Sequence, residues 1–185
     1  LFYKVAHIVC ELGFDGLDIN MGCPAKKVAA SGCGAALIRT PGLAREIIRA
    51  AQRGIRDWHF GQTLQDLGFD KEMIQQVCAA NRERSGRSAT AEHRPIPVSV
   101  KTRLGYDRVM IEDWLGTLLE EEPAAVSLHG RTLEQGYKGE GDWQAIPPAA
   151  EIAKASNTLI LGNGDVRDLR DAHRRVGQTG VDGVL

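Results

Sequence analysis

Residues 158–165 read Thr-Leu-Ile-Leu-Gly-Asn-Gly-Asp, a short apolar run that gives way to a glycine-rich loop. Beyond the loop, Leu169, Ala172 and Val176 recur at helical spacing, and Gly177 follows them as the predicted end of a helix. A strand, a loop and a helix in that order form the unit from which parallel sheets are built. This stretch therefore predicts a parallel α/β fold.

The same alternation of short apolar runs and helical patterns extends to the rest of the chain. Its order is helix, strand, helix, a long interruption, and then strands and helices in strict alternation. Helices are predicted over 2–12, from Thr40-Pro41 to Gly54, over 111–119 and over 146–155. Strands are predicted over 16–20, 97–103, 124–129, 158–161 and from Val181 onward.

A long interruption separates the helix after Thr40 from the next strand. It is longer than a connection between a helix and a strand needs, so we interpret residues 57–94 as an insertion with one short helix over 70–77. The remainder corresponds to about five strand–helix units, whereas a (β/α)₈ barrel of about 250 residues has eight. Length alone leaves open a partial barrel or a complete five-stranded open sheet.

Composition restricts the class of protein further. The chain has 185 residues, 43% of them hydrophobic and 25% charged, as expected for one soluble globular domain. No apolar run approaches the ~18–20 residues of a membrane span. The net charge of −1 provides no overall field that would attract nucleic acid. Four cysteines without a Cys-x-x-Cys pair argue against a zinc site or a disulfide framework and favour the reducing cytoplasm; we predict no metal.

The end of the predicted insertion is polar and locally basic. Residues 85–90 are small and polar, which predicts a mobile loop. Arginines at positions 82, 84, 87 and 94 outnumber the acidic residues around them. A solvated loop and a contact with RNA both fit this composition.

Each of the first four predicted strands ends on polar side chains that a strand core does not favour. Asn20 ends the first strand, Lys101 and Arg103 the second, His129 the third and Asn163 the fourth. In parallel α/β folds the carboxyl ends of the strands form the functional face. We therefore expect these side chains to converge on one site.

Taken singly, each of these groups has two interpretations. The loop 162–165 could present backbone N–H groups to a phosphate or be a tight turn. Lys101 follows Val98 and Val100, and we expect it to share their face and to point inward, where it needs a ligand anion or a carboxylate. His129 could be a ligand-binding group or a core histidine with satisfied hydrogen bonds.

Cys23 has the most distinctive setting of the four cysteines. It lies in a Gly-Cys-Pro loop just after a strand, where a side chain faces the site. Cys10 and Cys78 lie in helical patterns, and Cys33 lies in a glycine-rich turn. Most single cysteines are small buried apolar residues, but a thiol in this position can hold and donate a proton.

Together these segments resemble the tRNA-dihydrouridine synthase family, in particular its bacterial branch. The blocks that carry the resemblance are DINMGCPAKKV (18–28), GCGAAL (32–37), PVSVKTRLG (97–105), HGRT (129–132) with Tyr137, Gly139 and Asp142-Trp143, GNGDV (162–166) and TGVDGV (179–184). They occur in the order of the family's motifs, and they cover the chain outside residues 57–94.

The resemblance implies a TIM (β/α)₈ barrel that binds FMN. It places residues 1–185 in one partial catalytic domain, from the third helix of the barrel to its eighth strand, so that about strands 4 to 8 are present. The small helical domain that helps to hold tRNA lies outside this sequence.

The resemblance also implies the reaction and the role of each site residue. The reaction is the FMN-dependent reduction of uridine in tRNA to 5,6-dihydrouridine, with NADPH as reductant. Cys23 is then the general acid that protonates C5, and Asn20 contacts the edge of the uracil. The flavin is contacted at its ring by Lys101 and His129 and at its phosphate and ribitol by Asn163, Gly164 and Asp165, while Arg131 contacts tRNA or flavin.

Two other functions remain compatible with the sequence. One is another FMN-dependent TIM-barrel oxidoreductase that acts on a free pyrimidine, similar to dihydroorotate dehydrogenase. The other is a non-catalytic remnant that binds RNA or phosphate. The Cys-Pro loop and the His-Gly-Arg-Thr block favour the tRNA enzyme over the first of these.

Overall fold

The computed structural model describes residues 1–85 and 93–185. Within them, helices and strands alternate as the sequence predicts. The helices are α1 (Phe2–Glu11), α2 (Lys26–Ala30), α3 (Pro41–His59), α4 (Lys71–Ser85), α5 (Ile111–Leu119), α6 (Pro147–Ala153) and α7 (Leu169–Thr179), with 3₁₀ segments at Gly34–Arg39 and Trp143–Ala145. The strands are β1 (Leu17–Asn20), β2 (Val98–Arg103), β3 (Ala125–His129), β4 (Leu159–Asn163) and β5 (Gly183–Val184).

The five strands form one parallel sheet in the order β1-β2-β3-β4-β5. Ladders β2–β3, β3–β4 and β4–β5 are parallel. The N–H groups of Leu17 and Met21 bind the carbonyls of Pro97 and Lys101, which makes β1 parallel to β2. A doubly wound sheet reverses its strand order at a switch point, whereas consecutive order belongs to a (β/α)₈ barrel. The topology therefore confirms a partial barrel and excludes the open-sheet alternative.

Side chains of the sheet alternate between two faces, and this corrects the expected orientation of Lys101. Val98, Val100 and Thr102 are buried, and Trp114 of α5 donates a hydrogen bond of 3.0 Å to Thr102 Oγ1. This face therefore packs against the helices. Because successive residues of a strand point to opposite faces, Lys101 lies on the other face and not with Val98 and Val100. Lys101 points into the site as expected, but the prediction that it shares a face with Val98 and Val100 was wrong.

The chain divides into two compact units, 1–17 with 47–98 and 18–46 with 99–185. In the second unit the apolar core lies between the sheet and the helices α5 and α6. Alanines on α6 let it pack closely against α5, and larger aliphatic side chains fill the remaining space. The buried residues include Leu115, Leu118, Val126, Leu128, Ala149, Ala153 and Ile160.

The first unit contains α1, α4 and most of α3. Trp58 Nε1 and Asn81 Nδ2 donate hydrogen bonds to Glu11, at 3.1 and 2.7 Å. Arg84 donates to the carbonyls of Leu12 and Gly13, which follow the end of α1. One arginine of the basic stretch is therefore used within this unit. The polar loop predicted over 85–90 lies outside the described residues beyond Ser85.

Three helix ends differ from the sequence prediction. The short helix expected over 70–77 runs on to Ser85 as α4. Helix α3 continues through Gly54. Helix α1 packs closely against this glycine, since a Cβ there would overlap the Tyr3 carbonyl. Helix α7 continues through Gly177 to Gly180, whose φ of +72° supplies the left-handed cap. A glycine alone does not show whether it ends a helix or allows close packing.

Candidate active site at the carboxyl ends of the strands

The polar ends of three strands meet in one row of the sheet. Arg103 of β2 pairs in register with His129 of β3, which pairs with Asn163 of β4. Lys101 lies two residues before Arg103 and on the same face, because side chains alternate along β2. The structure thus brings together four of the polar residues found at the predicted strand ends.

Lys101 is bound by a neutral partner. Its Nζ donates a hydrogen bond of 2.9 Å to Asn163 Oδ1, and Asn163 Nδ2 donates to the Leu185 carbonyl. Burial lowers the pKa of Lys101, as does the charge of Arg103, while Asp18 acts in the opposite direction. Lys101 was expected to face either a ligand anion or a carboxylate of the protein. Because its partner is a neutral amide and not a carboxylate, the structure favours a ligand anion.

The buried Arg131 and the more exposed Asp165 form a clamp beside this row. Arg131 Nη2 donates to both oxygens of Asp165, at 2.9 and 2.8 Å, and to the Gly139 carbonyl at 2.6 Å. Asp165 also accepts a hydrogen bond from the Gly141 N–H at 2.6 Å. That N–H and the Arg131 guanidinium hold the pKa of Asp165 below its usual range. Both oxygens of the Asp165 carboxylate therefore already accept hydrogen bonds from residues that follow β3.

His129 is uncharged in this environment. Burial lowers its pKa to about 4, and the positive charges of Arg103 and Lys101 act in the same direction. Gly164, with φ of +121°, lies against the ring, and a Cβ there would come within 3.1 Å of Cδ2. Only glycine fits that backbone and that spacing, so the loop after β4 can approach the imidazole closely.

The loop that carries Cys23 is fastened to the end of β2. Thr102 Oγ1 donates to the Met21 carbonyl at 3.1 Å, and Arg103 Nε donates to the Gly22 carbonyl at 2.7 Å. Cys23 is half-buried and its thiol forms no disulfide. Burial lowers the pKa of Arg103, and the nearby Cys23 acts on that pKa in the opposite direction. The Cys23 loop therefore lies at the same edge of the sheet as Lys101 and His129.

Asn20 is exposed at the end of β1. Its Oδ1 accepts a hydrogen bond of 3.1 Å from the Gly22 N–H, so the side chain stabilises the turn that leads to Cys23. Its role as a uracil contact stays a prediction.

Arg103 is the site residue that the sequence analysis left without a role. It is 3% exposed, and besides Gly22 it binds the carbonyls of Thr132 and Gly136 at 3.0 and 2.8 Å. One guanidinium thus joins the Cys23 loop to the loop after β3. The signal in the sequence is a second cation two residues after Lys101, since both then lie on one face of β2.

These residues fit a ligand with a phosphate and with a planar ring that becomes negatively charged on reduction, as FMN does. Lys101, Arg103 and Arg131 supply positive charge, and neutral His129 supplies a ring donor. Gly141 and Gly164 allow their loops to pack closely around these side chains, since a Cβ at either position would meet Asp165 or His129 within 3.2 Å. Among the described residues, no three His, Cys, Asp or Glu side chains are grouped to hold a metal ion.

The fold and the site together define a parallel α/β protein of the barrel type with a cluster of cationic side chains at the carboxyl ends of its strands. Comparison with known families identifies it further. The model of the family described as "Dihydrouridine synthase (Dus)" matches residues 1–82 and 84–185, and the chain belongs to this family.

Its relatives carry the same family name. The chain is 34% identical over 187 aligned positions to the "Probable tRNA-dihydrouridine synthase 2" of Bacillus subtilis (strain 168). It is 31% identical to the "Probable tRNA-dihydrouridine synthase" of Staphylococcus aureus (strain Mu50 / ATCC 700699) and of Staphylococcus epidermidis (strain ATCC 12228 / FDA PCI 1200). Each alignment covers 100% of this chain and 45% of the relative, so the chain spans less than half of the relatives' length.

The family match bears on two predictions made from sequence. It confirms the resemblance stated from the motifs, and the coverage agrees with a chain that forms part of the catalytic barrel. The matched ranges include most of residues 57–94, whose interpretation as an insertion stays a prediction. In the part of the chain that the structure describes, no helix has the length and apolar character to cross a membrane.

Proposed function

We propose that the protein containing this chain is a tRNA-dihydrouridine synthase, a flavin-dependent oxidoreductase that reduces uridine in tRNA to 5,6-dihydrouridine. The observation that carries the proposal is the row of Lys101, Arg103 and His129 beside the Cys23 loop, in a chain that matches the dihydrouridine synthase family. The names of its relatives support tRNA as the substrate. We propose FMN as the cofactor and NADPH as the reductant.

Reduced FMN, when bound, would supply two electrons and one hydrogen to the uracil, and the protein would supply the stabilising charge and the second hydrogen as a proton. Cys23 donates its thiol proton to C5 of the uracil, so that the S–H bond breaks as the C5–H bond forms. The hydrogen bonds from Thr102 and Arg103 hold the loop in place for this step. Asn20, at the start of the same loop, holds the uracil edge.

The cations of the site stabilise the negative charge of the ligands. Lys101 would lie beside the flavin ring, where an anionic ligand would give its ammonium the counter-charge that the neutral Asn163 amide does not provide. His129 offers a neutral ring donor. Asn163, Gly164 and Asp165 hold the ribitol and the phosphate, and Asp165 does so through its backbone because its carboxylate is bound to Arg131 and Gly141.

Arg131 belongs to the flavin side of the site. The family resemblance implies that Arg131 contacts either tRNA or flavin. Its side chain is only 8% exposed, and its Nη2 is bound to Asp165. A buried and clamped guanidinium cannot reach out to an RNA backbone. We therefore assign it to the flavin pocket.

The tRNA must deliver its uridine into the pocket from outside. A stacked base cannot reach a flavin at the end of a barrel, so the uridine is splayed out of the folded tRNA. Lys26 and Lys27, exposed on α2 next to the Cys23 loop, are placed to contact phosphate. The four unpaired cysteines fit a reaction in the reducing cytoplasm.

The test uses the full-length protein in a strain that lacks its gene. We expect the wild type to bind flavin and to restore dihydrouridine at one tRNA position, mapped by mass spectrometry. Cys23→Ala should keep its flavin and the reduction of that flavin by NADPH, but form little dihydrouridine. Cys33→Ala, which changes an exposed cysteine nearby, is the control and should remain active.

Three outcomes contradict the proposal. A full-length protein without flavin would support the non-catalytic RNA- or phosphate-binding remnant. Undiminished dihydrouridine in Cys23→Ala would remove Cys23 from its role. If a free pyrimidine is reduced and tRNA is not, the enzyme is the dihydroorotate-dehydrogenase-like alternative.

A further inference from the structure

His129 and Arg131 lie two residues apart and touch through their side chains. We propose that Arg131 is a positioning residue that holds His129 in one neutral tautomer, with the proton on Nδ1, so that the imidazole always presents an N–H donor to the pocket. The tautomer itself does not depend on the proposed function; only its use toward a flavin rests on that proposal.

The contact between the two side chains assigns the tautomer. Arg131 Nη1 lies 3.3 Å from His129 Nε2. A guanidinium nitrogen only donates hydrogen bonds, so Nε2 must accept. A neutral imidazole carries one proton, and when Nε2 accepts, the proton is on Nδ1.

Arg131 is unable to turn away from the histidine. Its Nη2 is bound to both oxygens of Asp165 and to the Gly139 carbonyl, and the side chain is 8% exposed. Its Nε is buried and has no hydrogen-bond partner among the described residues. An orphaned donor costs free energy, so the orientation of the guanidinium is set by Asp165, Gly139 and His129 rather than by Nε.

The loop after β4 also packs against the imidazole. A Cβ at Gly164 would come within 3.1 Å of Cδ2 and 3.3 Å of Nε2, so the loop after β4 lies against the same edge of the ring that faces Arg131. Nδ1 is on the opposite edge. The Nδ1 donor is therefore directed away from Arg131 and from the loop after β4.

The surroundings also keep His129 from taking a second proton. Burial is the largest effect and lowers its pKa to about 4. Three of the charged groups that face it are cations and disfavour a second proton, and one is an anion that favours it; they are Arg103, Lys101, Arg131 and Asp165. Between about pH 5 and 8, where an ordinary histidine titrates, His129 stays neutral. The same donor is then present throughout that range.

Nitrogen-15 NMR of histidine side chains in the full-length protein, with and without FMN, tests the inference. The His129 signals are identified by their loss in His129→Gln. We expect Nδ1 protonated, Nε2 unprotonated and no titration between about pH 5 and 8. Wild-type protein with its proton on Nε2, or with His129 titrating in that range, would overturn the inference without any variant.

Two substitutions separate the hydrogen bond from the charge. Arg131→Gln retains an N–H donor without the charge, so we expect the Nδ1–H tautomer to persist. Arg131→Met removes both, so we expect a mixture of tautomers and a His129 midpoint raised by about one pH unit or more. Arg108→Met, at an exposed arginine, is the control and should change neither. Unaltered His129 signals in a folded Arg131→Met protein would contradict the positioning role.

These readouts are independent of the enzyme's activity. A protein with the expected tautomer that forms no dihydrouridine would contradict the proposed function and leave this inference intact. An active enzyme whose His129 carries its proton on Nε2 would do the reverse.

Discussion

Lys101 illustrates how one side chain is prepared for a ligand. Its ammonium is half-buried, its hydrogen-bond partner Asn163 is neutral, and Arg103 lies close enough to lower its pKa. Burial and the charge of Arg103 make the charged form less favourable than in water, and the neutral amide of Asn163 supplies no counter-charge. An anionic ligand that touches the ammonium relieves that cost, so Lys101 is a strong candidate for ligand binding.

Lys101→Ala in the full-length protein should therefore weaken flavin binding. We expect the dissociation constant for FMN, measured by fluorescence titration, to rise by about tenfold, which corresponds to the loss of 1.4 kcal/mol. Lys154→Ala, which removes an exposed lysine paired with Glu151, serves as the control. Equal affinity and equal rates of flavin reoxidation in Lys101→Ala and wild type would show that Lys101 serves another purpose.

At the scale of the element, the Cys23 loop depends on close backbone packing. Gly34, with φ of +60°, begins the 3₁₀ segment, and a Cβ there would lie 2.8 Å from the Cys23 carbonyl and 2.9 Å from its Cβ. The Ala35 N–H donates to the same carbonyl at 3.1 Å. The segment 34–39 therefore packs against the Cys23 loop, and Arg103 of β2 donates a hydrogen bond to the same loop at Gly22.

Gly34→Ala should disturb this loop, and Gly32→Ala provides a matched control. Both glycines have positive φ, but Gly32 has open space around it, so its substitution adds only backbone strain of about 1–3 kcal/mol. Gly34→Ala adds steric overlap with Cys23, and we expect a further loss of about 1–3 kcal/mol in the free energy of unfolding. We also expect Cys23 to react faster with a thiol reagent. Identical urea midpoints for the two variants would argue against the packing role of Gly34.

At the scale of the whole molecule, two carboxylates, Asp171 and Asp165, accept hydrogen bonds that link the stability of the folded protein to pH. Asp171 accepts from Arg174, from Arg175 Nε at 3.1 Å and from the Arg167 N–H at 3.2 Å. The Arg174 hydrogen bond is the largest of the effects that lower the pKa of Asp171 well below its usual range. The pKa of Asp165 is lowered as well.

These shifts predict loss of stability in acid. A carboxylate whose pKa is lower in the folded state stabilises that state above the unfolded value of about 3.9, and this contribution disappears as the pH falls through the folded value. The urea midpoint should therefore decrease below about pH 4. Asp171→Asn should lower the midpoint at pH 7 and flatten this dependence, whereas Asp107→Asn, at an exposed loop position, should do neither. A wild-type midpoint that stays constant into acid would contradict this assignment.

Local sequence determined the order of helices and strands and the polar residues at the strand ends. Side-chain period and helix caps depend on neighbours within a few positions, so they can be read from the chain itself. This is why Lys101, His129 and Asn163 could be expected at one edge of the sheet, and why Cys23 could be expected in the loop after β1.

Only the tertiary structure decided how those residues are used. The partners of Arg103 and Lys101 lie 29 to 81 residues away in the chain, and the residue packed on Gly54 is Tyr3. Such contacts depend on how the elements pack, and nothing in the neighbouring sequence encodes them. For the same reason, sequence alone could not show which glycine ends a helix or that Arg131 is fixed against His129.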